Sequence, residues 1–303
     1  IQRYEKMKIL ITGAAGFIGQ ALAKQLENSE HDVRLTDIHE PANTYGHTFE
    51  TCDLTNTEAV TYLPEADIVY HLCAYNNTAH FYTKPLSVID STMTPTINLL
   101  HRYKYSKTKF VYASSSEIYA GGVQLGITEI PTPEVNVGVI NEIDNTRWSY
   151  AGSKLMGEIA VHAAHEEYNL DYVIIRYHNA YGKEQKNHFI PEYADRLREG
   201  DNVLYGHDET RAFIYIDDAA ELTLKVGEKV MNDTINIGNP VESSIGDVAE
   251  VVREIIGTDR EPTYKNAPAG SVSRRCADVS KMLSLVGDYE FTSLKDGLIK
   301  TLT

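Results

Sequence analysis

From Met7 onward, short apolar runs alternate with longer stretches whose apolar positions recur at helical spacing. Lys8 to Thr12 is apolar and β-branched, the composition of a strand buried on both faces. It leads straight into Gly13-Ala14-Ala15-Gly16-Phe17-Ile18-Gly19 and the helical pattern Gln20 to Glu27. Further strands are predicted over Asp32 to Thr36, ending in Asp37, and over Thr48 to Cys52, closing on Asp53 and Leu54. Three more follow at Asp67 to Cys73, Lys109 to Ser114 and Asp171 to Tyr177, with long helices at Pro85 to Tyr105 and Ser149 to Tyr168. Repeated strand-helix units of this kind specify an α/β fold with a doubly wound parallel sheet, whose ligands sit at the carboxyl ends of the strands.

From about His178 the rhythm loosens. Short strands at Asn202 to Tyr205, Ala212 to Ile216 and Thr234 to Ile237 interleave with helices at Pro191 to Glu199, Asp217 to Glu228, Ile245 to Ile256 and Val279 to Val286. We read a larger domain over residues 7–177 and a smaller interleaved α/β domain over 178–303, from which some segments return to the first sheet. No internal repeat, low-complexity tract or flexible linker breaks the pattern. Ile1 to Lys6 precede Met7, which is read as the true start, and are left out of the fold.

The turn after the first strand is the first candidate for chemistry. A turn this tight needs a residue free to take positive φ, and a pyrophosphate reaches backbone amides only where no side chain stands in the way; glycine meets both needs. The helix that follows aims its amide end and partial positive charge at the same place. Gly-x-x-Gly spacings also arise in ordinary turns, so the second strand supplies the deciding context: it ends in Asp37, at about the distance where an acid meets the ribose of an adenosine. Asp53 has two readings, an acceptor for the adenine amino group or a cap for a helix from Thr57 onward.

Composition narrows the partners. The chain has 303 residues, 42% of them hydrophobic, enough for a large core. A net charge of −15 with no dense Lys/Arg run argues against nucleic acid or an anionic membrane, and an anionic substrate would need local arginines. Cys52, Cys73 and Cys276 lie far apart without metal-ligand spacing, which reads as buried thiols in a reducing compartment, the cytoplasm. No apolar run approaches the ~20 residues of a membrane span, and no signal peptide is visible. His162 and His165 lie three apart on one predicted helix with no third ligand nearby, so no metal site is expected. Tyr103 and Tyr105 read as core edge and interface rather than as a stacking platform for bases.

Tyr150 and Lys154 lie four apart in a helical stretch and so share one face, where an ammonium is expected to lower a phenol's pKa and make it a usable base. Ser114-Ser115-Ser116-Glu117 falls where the fifth strand ends, at the rim where substrate would meet a nicotinamide. Either feature alone is commonly a surface pair or a polar loop. Together, downstream of the glycine turn, they form a candidate catalytic set.

These motifs, in this order, resemble the extended short-chain dehydrogenases, and within them the sugar-nucleotide epimerases, dehydratases and decarboxylases. The resemblance implies a Rossmann sheet binding NAD, with Thr12 to Gly19 matching Thr-Gly-x-x-Gly-Phe-Ile-Gly, so that Gly13, Ala15, Gly16, Phe17, Ile18 and Gly19 line the cofactor. It implies Asp37 as the ribose acid, with Ile38 beside it, favouring NAD over NADP, and Asp53-Leu54 at the adenine. His71-Leu72-Cys73-Ala74 is similar to the family's His-Leu-Ala-Ala and places Leu72 and Ala74 under the cofactor. Ser115 matches the catalytic Ser or Thr, and Tyr150-x-x-x-Lys154 the signature pair, which also touches the cofactor. Arg176-Tyr177-His178-Asn179 resembles the segment by the nicotinamide, with Asn179 reaching the substrate pyrophosphate. Arg211 and Arg275 fall where family arginines hold the nucleotide phosphates, although Arg274-Arg275 also reads as a solvated pair. Ala120-Gly121 after Tyr119 and Lys183 after Tyr181-Gly182 depart from the pattern, and the insert Val135 to Trp148 resembles that of some aminosugar decarboxylases. The resemblance also implies a homodimer built on the helices Pro85 to Tyr105 and Ser149 to Tyr168.

The implied reaction begins with Tyr150 taking a hydroxyl proton from a nucleotide-diphosphate sugar while hydride passes to NAD, with Ser115 donating to the developing oxyanion. Epimerisation needs nothing more and is the leading expectation. The alternatives are 4,6-dehydration, with Ser116 and Glu117 as a further acid/base pair, and oxidative decarboxylation of a uronate, with an arginine on the carboxylate. Glu117 discriminates among them, unless it is a loop carboxylate in water. A non-catalytic NAD-binding sensor would need the glycines but not Ser115, Tyr150 and Lys154, and an NADP-dependent carbonyl reductase is disfavoured by Asp37.

Overall fold

The computed structural model describes residues 6–135, 137–267 and 272–303. Residues 1–5, most of the segment set aside before Met7, and Asn136 of the insert lie outside the described residues. The chain forms two compact units. The first comprises Ile1–Ile118, Ile140–Arg176 and Ala220–Ile235; the second comprises Tyr119–Val139, Tyr177–Ala219 and Asn236–Thr303.

The first unit is built on a seven-stranded sheet. Its strands are β1 (Lys8–Thr12), β2 (Asp32–Asp37), β3 (Thr48–Thr51), β4 (Ile68–His71), β5 (Lys109–Ser115) and β6 (Tyr172–Tyr177), with Asp233–Ile237 at the edge beyond β6. The order is β3-β2-β1-β4-β5-β6 followed by that edge strand, and the first four pairings are parallel, as in a doubly wound sheet. In chain order the helices up to β6 are α1 (Phe17–Gln25), α2 (Thr57–Thr61), α3 (Thr78–Thr83), α4 (Pro85–Tyr103), α5 (Ala120–Gln124, in the second unit) and α6 (Ser149–Tyr168). On one face of the sheet, Leu10, Val69, Phe110 and Ile174 pack with Leu99 and Tyr103 of α4 and Val161 and Ala164 of α6. β6 is buried along its whole length and β5 up to Ser115, which explains the apolar runs Phe110 to Ala113 and Tyr172 to Ile175 within them.

Thr234 to Ile237, grouped from the sequence with the short strands of the smaller domain, belongs to this sheet. Asn232 pins it there: its amide N–H donates to the Tyr172 carbonyl at 2.7 Å, its side-chain oxygen accepts from the Tyr172 N–H at 2.9 Å, and its side-chain nitrogen donates to Asp171 at 3.0 Å. Lys109, at the start of β5, donates through Nζ to the carbonyls of Gly227 and Glu228, closing the carboxyl end of the helix Ile216–Lys229 that leads to the edge strand. Among the described residues, the second unit holds three small sheets. Ala180–Tyr181 pairs with Ile214–Tyr215, Val203–Tyr205 with Thr263–Lys265, and Thr210–Ala212 lies between Glu242–Ser244 and Arg274–Arg275.

A polar chain runs through the first unit's core. Thr96 donates its hydroxyl to the Thr92 carbonyl at 2.7 Å, so it can only accept from His71, whose Nε2–H reaches it at 3.0 Å. The Nδ1 of His71 then accepts from the Thr12 hydroxyl at 2.8 Å. This ring is neutral because burial, aided by the nearby Lys154 charge, lowers its pKa to about 3. A pKa depressed on folding gives stability that is complete above the unfolded value of 6.5 and is lost as pH falls toward 3. The urea midpoint is therefore expected to fall through that window, and His71→Gln, though less stable at neutral pH, should show a shallower decline. Equal slopes for the two proteins would contradict the assignment.

Candidate active site

At the end of β1, Gly13 has φ of +73°, and a Cβ there would lie 2.9 Å from the Cys73 nitrogen and the Leu72 carbonyl carbon. A Cβ on Gly19 would run into the Gly13 carbonyl. The turn is thus held in a form that only glycine permits, with bare backbone at its surface. Gly16 opens α1 without a side-chain cap, which leaves first-turn amides of that helix for an anion. Across the turn, Asp37 accepts from the Ala15 and His39 amides, each at 3.0 Å, and both oxygens keep a further lone pair. Ile38 beside it is exposed. The Cys52 amide donates to the Asp37 carbonyl, which brings Asp53 alongside. Asp53 accepts from the amide and hydroxyl of Thr55 at 2.9 and 2.7 Å, and the cap of α2 is Asn56, not Asp53. Leu54 is buried; Leu72 and Ala74 are half-buried. This bare-backbone cradle, a helix amino end and an acid on the neighbouring strand fit a dinucleotide.

At the end of β5, three successive residues meet three residues spaced along one face of α6. Lys154 donates from Nζ to the Ala113 carbonyl at 2.5 Å, Ser114 donates to Glu158 at 2.5 Å, and Ser115 hydrogen bonds with Tyr150. The approach is close because Gly157 has no Cβ to strike the Tyr112 hydroxyl. Phe81 of α3 stacks on Tyr150 at 5.2 Å with the rings 7° from parallel, fixing the phenol from the other side. Ser116 is buried in the 3₁₀ turn that follows β5. Glu117 does not stand in water: its amide donates to Ser115 at 3.2 Å, and its carboxylate lies 3.6 Å from Arg147, itself stacked over Trp148.

The electrostatics differ from the sequence reading. The phenol of Tyr150 is pushed up, not down, because burial outweighs hydrogen bonding to Ser115 and the nearby Glu117 charge adds to it. Lys154 is itself buried, and its pKa is lowered to about 8, with Cys73 and Glu158 acting in the opposite direction. Its Nζ stands 5.9 Å from the Tyr150 ring and donates to a backbone carbonyl, so this ammonium alone does not make a phenolate.

The structure brings Ser115, Glu117, Tyr150 and Lys154 together in the first unit. Tyr177, Asn179, Arg211 and Arg275 lie in the second. There Asn179 takes φ of +39° and donates to the Ala212 carbonyl at 3.1 Å. Arg211 and Arg275 are register partners on adjacent parallel strands. Arg211 is steadied by Glu209 at 2.8 Å, while Arg274 pairs with Glu242 at 2.6 Å and remains exposed. Sequence reasoning missed Phe81, Arg147 and Glu158. Glu158 was recoverable, since it lies four residues beyond Lys154 on the same face; Phe81 left no signal, because α3 has no helical periodicity of its own. Among the described residues no group of three or more His, Cys, Asp or Glu is placed to hold a metal ion, and no helix is long and apolar enough to cross a membrane.

Comparison with known proteins agrees with this geometry. The model of the NAD dependent epimerase/dehydratase family matches residues 9–238. The chain is 29% identical to a UDP-N-acetyl-alpha-D-glucosaminuronate decarboxylase of Bacillus cytotoxicus over 98% of this chain and 97% of that one. It superposes on the UDP-glucose 4-epimerase of Thermotoga maritima, crystallised with UDP-glucose, with a TM-score of 0.87 at 25% identity, covering 98% and 97% of the two chains. The UDP-glucuronic acid 4-epimerase of Bacillus cereus, crystallised with NAD, gives a TM-score of 0.83 at 28% identity over 98% and 97%. The glycine cradle, the Tyr150–Lys154 face and the match across the sheet lead to one conclusion: the chain belongs to the NAD dependent epimerase/dehydratase family and is an NAD-dependent enzyme.

Proposed function

We propose that the enzyme transiently oxidises the 4-hydroxyl of a nucleotide-diphosphate hexose and returns the hydride to the opposite face, a 4-epimerisation. The observation that carries this reading is the convergence of Ser115, Tyr150 and Lys154 at the end of β5. Gly13, Ala15, Gly16, Phe17, Ile18 and Gly19 would hold NAD at its pyrophosphate, Asp37 and Ile38 at the adenosine ribose, and Asp53 and Leu54 at the adenine. Leu72, Ala74, Tyr177 and Asn179 would line its nicotinamide end. When bound, NAD supplies a hydride acceptor and a positive charge near the phenol. Tyr150 then takes the proton from the 4-hydroxyl and gives it back, and Ser115 donates to the same oxygen as charge develops on it. Lys154 supplies the ammonium that steadies the phenolate and the nicotinamide ribose. In the second unit, the neighbouring Arg211 and Arg275 and the side chain of Asn179 suit a diphosphate. The names of the curated and structural relatives favour a uridine nucleotide.

A second reading, decarboxylation of a uronate, is favoured by one observation: Glu117 faces Arg147 beside Tyr150, which places a guanidinium where a sugar carboxylate could replace Glu117 as its partner. Turnover of UDP-hexoses and UDP-hexuronates followed by mass spectrometry and NMR separates the two. Unchanged mass with inverted C4 supports epimerisation, loss of carbon dioxide supports decarboxylation, and loss of water would replace both with dehydration.

We further propose a homodimer in the cytoplasm. Leu86, Ile89 and Ile97 of α4 and Met156 and Ile159 of α6 are exposed on helices that pack together, an apolar surface suited to the same pair of helices from a second copy. All three cysteines are free thiols, consistent with a reducing compartment.

Tyr150→Phe is expected to lower turnover by about a hundredfold to ten-thousandfold whichever product forms. Glu117→Gln should leave an epimerase within about tenfold of wild type, so a larger loss with hydride transfer intact would count against epimerisation. Activity should fall as pH rises through about 8, where Lys154 loses the proton that makes it useful; a flat profile from pH 7 to 10 would exclude that role. NAD should bind more tightly than NADP by calorimetry, because Asp37 opposes a 2′-phosphate, and Asp37→Asn should narrow the gap; equal affinities in the wild type would refute it. Light scattering should give the mass of two chains, reduced to one in Ile159→Asp, and a wild-type monomer at micromolar concentration would contradict the dimer.

A further inference from the structure

The proposed chemistry gives no task to the buried pair Glu158 and Arg176. The side chain of Glu158 is 5% exposed and that of Arg176 4% exposed. Arg176 donates to Glu158 Oε1 through Nε at 2.9 Å and to Oε2 through Nη2 at 2.6 Å, and Ser114 donates to Oε1 at 2.5 Å. A bidentate pair removed from water is a poor source of net stability, since apolar side chains of the same volume commonly serve as well. Its position gives a different reason for its presence. Glu158 lies one turn beyond Lys154 on the same face of α6, and it grips the residue between Ala113, which Lys154 holds, and Ser115, which meets Tyr150.

We propose that Glu158 is a positioning residue: held by Arg176, it fixes the end of β5 so that Ser115 faces Tyr150, and it provides the negative charge that keeps Lys154 an ammonium. The proposal rests on the reading of Ser115, Tyr150 and Lys154 as the proton-handling set. The groups around Lys154 support it. On its own helix are Tyr150 and Glu158; from the segment after β4 comes Cys73, from β4 the neutral His71, and from β5 the ring of Tyr112, 5.0 Å away, and the Ala113 carbonyl. The Cys73 thiol is pushed up to about 12 by burial and stays uncharged, which leaves Glu158 as the carboxylate among these groups. Arg176 carries the opposite charge, so removing the pair as a whole takes from the ammonium the part of the Glu158 attraction that Arg176 leaves uncancelled. Burial already lowers Lys154 to about 8, and without Glu158 it should lose its proton at lower pH.

The test uses the NAD-loaded protein and the double substitution Glu158→Gln with Arg176→Met, which leaves no unpaired buried charge. With the sugar nucleotide found in the screen, kcat should drop by about tenfold to a hundredfold from misplacement of Ser115, while KM changes by less than about threefold. The basic limb of the kcat profile should move to lower pH. The basic limb of NAD affinity, followed by calorimetry across pH, should move in the same direction, a readout independent of turnover. A folded double variant with wild-type kcat and an unmoved basic limb would overturn the proposal, because a merely structural pair would change only the melting temperature. If the double variant does not fold, Glu158→Asp decides: it keeps the charge and shortens the reach, so kcat should fall with the basic limb unmoved, and unchanged kcat would overturn the proposal. Tyr150→Phe, run alongside, separates the two readings. An inactive Tyr150→Phe beside a wild-type-like double variant rejects only the role of Glu158, whereas an active Tyr150→Phe rejects the proton-handling set itself.

Discussion

The constraint on which the rest of the first unit depends is the docking of the last three residues of β5 onto one face of α6. Ala113, Ser114 and Ser115 are consecutive, and the residues that meet them, Lys154, Glu158 and Tyr150, recur every four positions on the helix. The contacts are not collinear: Ala113 meets Lys154, Ser114 reaches one turn onward to Glu158 and Ser115 one turn back to Tyr150, just before the chain enters a 3₁₀ turn. Close approach is possible because Gly157 offers no side chain to the Tyr112 hydroxyl. The apolar layer formed by Leu99, Tyr103, Val161 and Ala164 holds α4 and α6 against the sheet, so the polar contacts refine a position that burial has already set.

That arrangement trades stability for placement. Losing one member of a buried ion pair costs about 3–5 kcal/mol, whereas replacing both with apolar groups is commonly neutral. Glu158 and Arg176 therefore secure geometry more than they secure the fold. The same environment raises the Tyr150 phenol and lowers the Lys154 ammonium, both by desolvation, so each group is held away from the ionisation the reaction uses. A site of this kind responds to added charge: a cation beside the phenol or an anion beside the lysine does far more there than in water.

Much of this was legible in the sequence, and the exceptions have physical causes. Strands such as Lys8–Thr12, buried on both faces, leave continuous apolar runs that can be read directly, and the helix Ser149–Tyr168 was bounded correctly. The glycine turn and the Tyr150–Lys154 spacing were visible because backbone strain and helical periodicity are local properties. What could not be read was tertiary. The edge strand Asp233–Ile237 is assigned to the main sheet by Asn232, whose hydrogen bonds reach sixty positions back along the chain. The sign of the Tyr150 shift follows from burial that no spacing reveals, and the Glu117–Arg147 pair depends on how two short 3₁₀ turns face each other.

The central claim is that this face of α6 manages the proton while hydride leaves and re-enters one carbon of the sugar. The most direct test is to supply the sugar nucleotide that the enzyme turns over with deuterium at C4 and to locate the label in the product by NMR. The account predicts that the deuterium is retained at C4, with turnover slowed relative to the protiated substrate under single-turnover conditions. Deuterium released to water from C4 would show that the carbon is deprotonated rather than oxidised, and would contradict it.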